Sequence, residues 1–110
     1  MNSLDTTFGA LADPTRRAIL ARLALGEATV GELAAPFPIS LPAISRHLKV
    51  LEDAALIRNV RDGKHRRISL QPDTLAAAQD WLDFSRRFWG GSLDRLDKHL
   101  RDKAKPEEKQ

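Results

Sequence analysis

A dense group of side chains that could bind a charged partner lies in residues 57–67, which read IRNVRDGKHRR. The segment carries five cations and a histidine against one carboxylate, Asp62. Guanidinium and ammonium groups at this density bind phosphate oxygens, which is the electrostatic part of nucleic-acid binding. The alternative is a solvated hairpin face without a partner. For the histidine, His65, phosphate contact and simple solvation are equally open.

The net charge of the chain is concentrated in the part that contains the basic segment. The sequence has 18 Lys and Arg against 15 Asp and Glu, and residues 73–110 contain eight of each. The net charge of +3 therefore belongs entirely to residues 1–72. The absence of cysteine excludes disulfides, thiolate metal sites and cysteine nucleophiles. With 110 residues and no long apolar run, we expect one domain, no membrane span and a cytoplasmic location.

A predicted helix just before the basic segment presents short and polar side chains on one side. Ser40 is its N-cap, and Ile44, Leu48 and Leu51 form its apolar stripe. A helix of this kind fits the major groove of DNA, where its exposed N-terminal half can approach base edges. The predicted contacts on this helix are Ser40, Leu41, Pro42, Ala43, Ser45, Arg46 and Lys49.

Helical periodicity also dominates the residues before this helix. A short helix is predicted around Phe8, and Asp13 followed by Pro14 is the cap and first residue of a second helix that ends at Gly26. Thr29 is predicted to cap a short third helix. Arg16 and Arg17 could be a solvated helix face or phosphate contacts, and His47 could be packed and hydrogen-bonded or could contact DNA.

A change of pattern after residue 56 predicts two strands joined at Asp62-Gly63, and then a last helix that starts at Pro72. Apolar residues repeat every three to four positions along this helix, and their phase is kept across Gly90-Gly91, so we expect it to be continuous. Its aromatic residues predict core or a dimer interface, with a small-molecule pocket as the alternative. We expect residues 1–102 to form the folded domain and the charged tail, residues 103–110, to be disordered.

The order of these elements predicts a mainly α fold with a small β-hairpin. The third and fourth helices form a helix-turn-helix, and the hairpin after them is a wing. Double-stranded DNA is therefore the predicted partner, with the wing on neighbouring phosphates or in the minor groove. The predicted wing contacts are Arg61, Lys64, His65, Arg66 and Arg67.

Three stretches resemble the ArsR/SmtB family of winged-helix transcriptional regulators: ALADPTRRAILARLALGEATVGELA, LPAISRHLKVLEDAALI and RDGKHRRISL. The resemblance spans residues 8–70. It implies a cytoplasmic homodimeric repressor, often autoregulatory, that binds a palindromic operator and pairs through its first and last helices. The dimer interface it implies consists of Leu4, Phe8, Leu11, Leu82, Phe88, Trp89, Leu93, Leu96 and Leu100.

The family is best known for sensing metals, but this sequence lacks the residues that bind metals in those sensors. The short helix before the turn has no thiol, and the last helix contains only one histidine, His99, which Asp102 follows three residues later. Arg86 and Phe88 occupy the upstream positions where a zinc-sensing pair would need a carboxylate and an imidazole. We therefore expect no metal and no cofactor. A metal- or small-molecule-sensing repressor of the same fold stays the alternative, and a small-molecule inducer is an open partner.

Catalysis has little support in the sequence. The paired carboxylates of the last helix, Asp80 with Asp83 and Asp94 with Asp97, are more simply solvated residues paired with nearby cations. We therefore expect no enzymatic activity. A protein-interaction module without DNA binding is the alternative from another class, but such a module does not need five cations in an eleven-residue segment.

Overall fold

The computed structural model describes residues 4–104, with residues 93 and 104 described by their backbone alone. It contains five helices and three strands within these residues. They are α1 (Leu4–Leu11), α2 (Pro14–Leu23), β1 (Ala28–Thr29), α3 (Val30–Ala34), α4 (Leu41–Asp53), β2 (Ile57–Asp62), β3 (His65–Leu70) and α5 (Pro72–Ala104). The chain divides into two units after Ala78. The predicted mainly α, winged helix-turn-helix fold is confirmed.

Local side-chain caps start α2, α3 and α4. Asp13, Thr29 and Ser40 each accept a hydrogen bond from the amide three residues later, at 3.1–3.2 Å. These bonds satisfy amides that have no partner inside the helix. At α3 the Thr29 amide also donates to the Glu32 carboxylate at 2.8 Å, which lowers the pKa of Glu32. The three predicted caps are confirmed.

The end of α2 differs from its prediction, because the helix stops at Leu23 and not at Gly26. The amides of Leu25 and Gly26 bond to carbonyls three residues earlier, which tightens the last turn before the glycine is reached. The Arg22 guanidinium then donates to the Gly26 carbonyl at 3.0 Å. Gly26, with φ of 144°, belongs to the turn that leads into β1.

The wing belongs to a three-stranded antiparallel sheet in the order β1-β3-β2. Strand β1, which sequence patterns did not predict, pairs Ala28 with Ile68. The turn between β2 and β3 also differs from its prediction. Its central residues are Gly63 and Lys64, and Asp62 pairs across it with His65. Gly63 has φ of 64°, and a positive φ at the first central position alone defines a type II′ turn, which favours glycine there.

The hydrophobic core of the first unit combines residues from α1–α4, β1 and the wing strands. The predicted stripe of α4 is buried in it: Ile44, Leu48 and Leu51 are each at most 4% exposed. The largest completely buried side chains are Ile19, Leu33, Ile44, Leu51, Leu56, Ile57 and Ile68. This core fixes which side of α4 stays in solvent.

A strained residue ends α4. Ala55 has φ of 58°, and the amides of Ala55 and Leu56 bond to the carbonyls of Glu52 and Leu51, which is a Schellman motif. Thr74 of α5 fixes the same place, because its hydroxyl donates to the Ala55 carbonyl at 2.5 Å. Glycine is the residue that this left-handed position favours.

We expect Ala55→Gly to raise the free energy of unfolding by about 1 kcal/mol, because the left-handed conformation costs a non-glycine residue ~1–2 kcal/mol. Ala24→Gly is the matched control: Ala24 also follows a helix but has right-handed angles, φ of −64° and ψ of −20°. That change should lower stability by about 0.5–1 kcal/mol. Urea unfolding measures both, and an Ala55→Gly protein that is no more stable than the parent would contradict the strain.

Helix α5 runs unbroken through Gly90-Gly91, as the phase of its apolar residues predicted. Beyond Ala78 its described apolar side chains are exposed. The rings of Phe84 and Phe88 stack with centroids 6.2 Å apart, and Trp89 meets Phe88 edge-on at 5.4 Å. The large exposed apolar residues of α5 are Trp81, Leu82, Phe84, Phe88, Trp89, Leu96 and Leu100. Residues 103 and 104, the first two of the tail that was expected to be disordered, are the last residues of α5, and residues 105–110 lie outside the described residues.

Candidate nucleic-acid interface

The solvent side of α4 carries the side chains that were predicted to read DNA. Ser45, Arg46 and Lys49 are exposed, because the buried stripe turns the other side of the helix into the core. Near the helix start Leu41 is 59% exposed and Pro42 is exposed, whereas Ala43 is half-buried. The Ser40 hydroxyl already accepts the cap bond. The helix therefore presents a short, mostly apolar start followed by one hydroxyl and two cations.

Lys49 forms an ion pair with another residue of α4. Its Nζ lies 3.1 Å from the Asp53 carboxylate one turn later, and this hydrogen bond and charge raise the pKa of Lys49. Lys49 is thus a cation at neutral pH. Both partners are more than half exposed, and exposed pairs of this kind contribute little to stability. A phosphate can therefore replace Asp53 at small cost.

The pairing of β2 with β3 separates the predicted wing contacts onto two faces. Side chains alternate along a strand, so Arg66 shares the face of buried Ile68, which we call the inner face. Arg61 lies directly opposite Arg66 on that face. His65 and Arg67 lie on the outer face, and Lys64 lies in the turn. The predicted set is brought together only in part.

Arg67 is held by two carboxylates on the outer face. Its Nε donates to Asp62 at 2.8 Å and its Nη1 lies 3.4 Å from Glu27, a residue just before β1. These contacts, that of Asp62 first, raise the pKa of Arg67. The guanidinium remains charged but its field is largely cancelled. Sequence reasoning missed this, because Glu27 lies 40 residues from Arg67.

The inner face has the opposite electrostatic character. Arg61 and Arg66 are directly opposite each other, and like charges in this position repel across a sheet. Arg66 donates to the neutral Asn59 side chain at 3.4 Å. An anion bound beside Arg66 would offset this repulsion.

A groove joins the inner face of the wing to α4. Ser45 and Lys49 line it from the helix, and Asn59 and Arg66 line it from the strands. Its other lining residues are Val30, Leu48 and Glu52. The exposed side of the helix and one face of the wing thus form a continuous surface with positive charge at both edges.

His47, Arg16 and Arg17 take no part in this surface. His47 is half-buried, and its Nδ1 lies 3.2 Å from Arg16 and 3.7 Å from Asp13, so the packed, hydrogen-bonded interpretation is confirmed. Arg17 is exposed, as the solvated interpretation predicted, whereas Arg16 is half-buried, and phosphate contact by either stays a prediction. Both guanidinium groups donate to backbone carbonyls of α1, a role that the lack of any cation in the last turn of α1 could have indicated.

The residues of the expected dimer interface fall into two groups. On α1, Leu4, Phe8 and Leu11 are half-buried. On α5, Phe88 is 69% and Trp89 51% exposed, and the described leucines at 82, 96 and 100 are exposed as well. The prediction for Leu93 lies outside the described side chains.

The structure adds two observations on ligands and membranes. Within the part of the chain that it describes, no three or more His, Asp or Glu side chains cluster as metal ligands would. No helix among residues 4–104 combines the length and apolarity that crossing a bilayer requires.

Comparisons with known proteins match both the sequence and the fold. A family model described as a helix-turn-helix domain matches residues 11–60. The HTH-type transcriptional regulator Rv2034 of Mycobacterium tuberculosis is 50% identical over 91 residues, which are 83% of this chain and 82% of that protein. The transcriptional repressor SdpR of Bacillus subtilis is 39% identical over 79 residues, 72% of this chain and 88% of that one. The crystal structure of the ArsR family transcriptional regulator RHA00566 matches with a TM-score of 0.76 at 42% identity, over 79% of this chain and 96% of that one.

Proposed function

Because the chain belongs to the ArsR/SmtB family of DNA-binding transcriptional regulators, we propose that it is a homodimeric repressor that binds a palindromic operator. This is a family of regulators and not of enzymes. The repressor acts in the cytoplasm by covering a promoter, its own among them. An inducer of this repressor would have to bind its DNA-bound and free states unequally.

The recognition helix of the proposed complex is α4. Its start meets thymine methyl groups through exposed Leu41 and Pro42 and half-buried Ala43, because these side chains are apolar. Ser45 and Arg46 reach base edges, and Lys49 exchanges Asp53 for a backbone phosphate.

The observation that carries the proposal is the groove lined by Ser45 and Lys49 from α4 and by Arg66 from the wing. A DNA strand whose bases meet α4 has its phosphates beside the helix, where Arg61 and Arg66 face one another without a carboxylate partner of their own among the described contacts. The wing then holds the backbone and α4 reads the bases. A protein-interaction module would not need cations on both edges of one groove.

The proposed dimer uses the exposed apolar residues of α5 together with α1. Aromatic side chains such as Trp89 each bury ~150–250 Å² when they are covered, and large exposed apolar surfaces mark interaction sites. A two-fold axis through this contact sets the two copies of α4 about 34 Å apart, in successive major grooves.

Fluorescence anisotropy at physiological salt tests the proposal, with a chelator present. The protein is titrated into DNA from upstream of its own gene and into a scrambled duplex of equal length. A preference of roughly a thousandfold or more supports a specific repressor that needs no metal. Equal binding to both duplexes would contradict the autoregulatory operator, and no binding to either would favour the interaction module.

Arg66 and Arg67 are a matched pair, because they are neighbours of equal charge on opposite faces of the wing. We expect Arg66→Ala to weaken binding to all DNA and to reduce the slope of log K against log [salt] by about 1, as the loss of one phosphate contact does. Arg67→Ala should leave the slope unchanged, since its charge is already matched by Asp62 and Glu27. Equal effects of the two changes would contradict the assignment of faces.

A further inference from the structure

One guanidinium outside the proposed DNA surface connects three helices. Arg16 lies half-buried in the first turn of α2. Its Nε donates to the carbonyl of Ala10 at 2.7 Å and its Nη2 to that of Gly9 at 3.2 Å, both in the last turn of α1. Its Nη1 lies 3.2 Å from Nδ1 of His47 on α4. Arg16 is therefore bonded to α1 and to α4 at the same time.

Arg17 shares the first of these roles but not the second. Its Nη1 donates to the carbonyl of Leu11 at 2.8 Å. The last turn of α1 has no cation of its own, so the two arginines supply the donors and the positive charge that its final carbonyls lack. Only Arg16 extends this contact to α4, which makes Arg17 a natural control.

The contact places a condition on the protonation of His47. A guanidinium has only donors, so the contact with Arg16 is a hydrogen bond only when Nδ1 of His47 is the unprotonated acceptor. The Asp13 carboxylate lies 3.7 Å from the same Nδ1 and accepts the Arg16 amide at 3.1 Å. A proton on Nδ1 removes the bond from Arg16, brings two cations together and redirects the ring towards Asp13.

We propose that Arg16 is a positioning residue for DNA binding, which fastens the recognition helix α4 to α1 through neutral His47. This rests on the proposed function, in which α1 belongs to the dimer contact and α4 to the DNA contact. The bond then sets how far apart the two copies of α4 stand, and operator DNA binds only when that spacing is right. The charged groups near the His47 ring are Asp13 and Arg16. Arg46, the residue before His47 on α4, is exposed.

Four variants separate this role from a purely structural one. His47→Gln keeps an acceptor that cannot be protonated, His47→Ala and Arg16→Gln remove the bond, and Arg17→Gln removes only a contact to α1. All are made in a His65→Gln chain, so that His47 is the histidine left in this unit of the chain. Anisotropy with the upstream duplex and the scrambled duplex is measured at pH 8 and pH 5.5, which bracket the range where imidazole gains its proton.

At pH 8 we expect His47→Ala and Arg16→Gln to lose about tenfold in operator affinity and much less on the scrambled duplex. Arg17→Gln and His47→Gln should stay within about twofold of the His65→Gln chain. On moving to pH 5.5 the His65→Gln chain should lose operator affinity, whereas His47→Gln should not. If His47→Ala binds like Arg17→Gln, or if the pH response survives in His47→Gln, the positioning role is overturned.

A readout that needs no DNA keeps this result separate from the proposed function. Nitrogen-15 chemical shifts of the His47 ring at pH 8 should show an unprotonated Nδ1 in the parent, and the Nδ1 resonance should move in Arg16→Gln, because this nitrogen loses the hydrogen bond it accepts. A protonated Nδ1 in the parent overturns the proposal whether or not DNA is bound. Failure of the parent to prefer the upstream duplex, with the expected shifts, would count against the operator and leave the contact between α1 and α4 established.

Discussion

The Trp89→Glu protein is expected to sediment as a monomer and to bind operator DNA at least a hundredfold more weakly than the parent. In a two-fold dimer each substitution occurs twice, so the interface loses two aromatic anchors and gains two carboxylates without partners. A monomer holds one half-site alone and loses the gain of ~10²–10⁴ that linking two binding modules provides. Sedimentation velocity and anisotropy on the same sample measure both effects.

Ala76→Glu is the control for this change. Ala76 is exposed on α5, about 140° around the helix from Trp89, and the substitution adds the same charge away from the apolar residues. It should remain dimeric and bind DNA like the parent. A Trp89→Glu protein that is still dimeric and competent in DNA binding would refute this interface. Circular dichroism confirms that each variant is folded.

Arg46→Ala should lower operator affinity by about 10–100-fold and relax the preference at one base position, the loss that one bidentate contact to guanine produces. Arg46 is exposed beside Ser45 on the side of α4 that faces away from the core, so this change leaves the core intact.

Arg46→Lys decides between base and phosphate for the same side chain. Lysine keeps the charge but cannot make the planar, two-pronged contact of a guanidinium. With a base contact we expect Arg46→Lys to stay as impaired as Arg46→Ala against a panel of single base-pair changes. Recovery of affinity by lysine, with an unchanged base preference, would reassign Arg46 to a phosphate.

Features determined within a few residues were predictable from the sequence. The caps at Asp13, Thr29 and Ser40 depend on one side chain and an amide three residues later. The buried side of α4 follows from helical spacing alone, and so does the continuity of α5, because its apolar phase is the same before and after Gly90-Gly91.

Features that depend on pairing between distant residues were not predictable. Strand β1 has two residues and exists only because β3 lies beside it. The turn is centred on Gly63-Lys64 and not on Asp62-Gly63. Glycine is favoured at either central position of a tight turn, so only the cross-strand pairing determines which of the two turns forms. The same pairing decides which of Arg66 and Arg67 lies beside α4. The contacts of Arg16 with α1 and α4 likewise follow from packing, since His47 is 31 residues away.

Ile68 lies at the point where the wing leaves the core. An insertion beside it can therefore change which wing arginine lines the groove. One residue inserted between Arg67 and Ile68, with the turn lengthened by one residue and no bulge, would leave Ile68 buried. It would shift the pairing so that every β3 side chain above Ile68 turns to the other face. Arg67 would then line the groove and Arg66 would leave it, with no arginine gained or lost. Insertion or deletion of one residue can therefore change which arginine of the wing lines the groove, while the number of arginines in the wing stays the same.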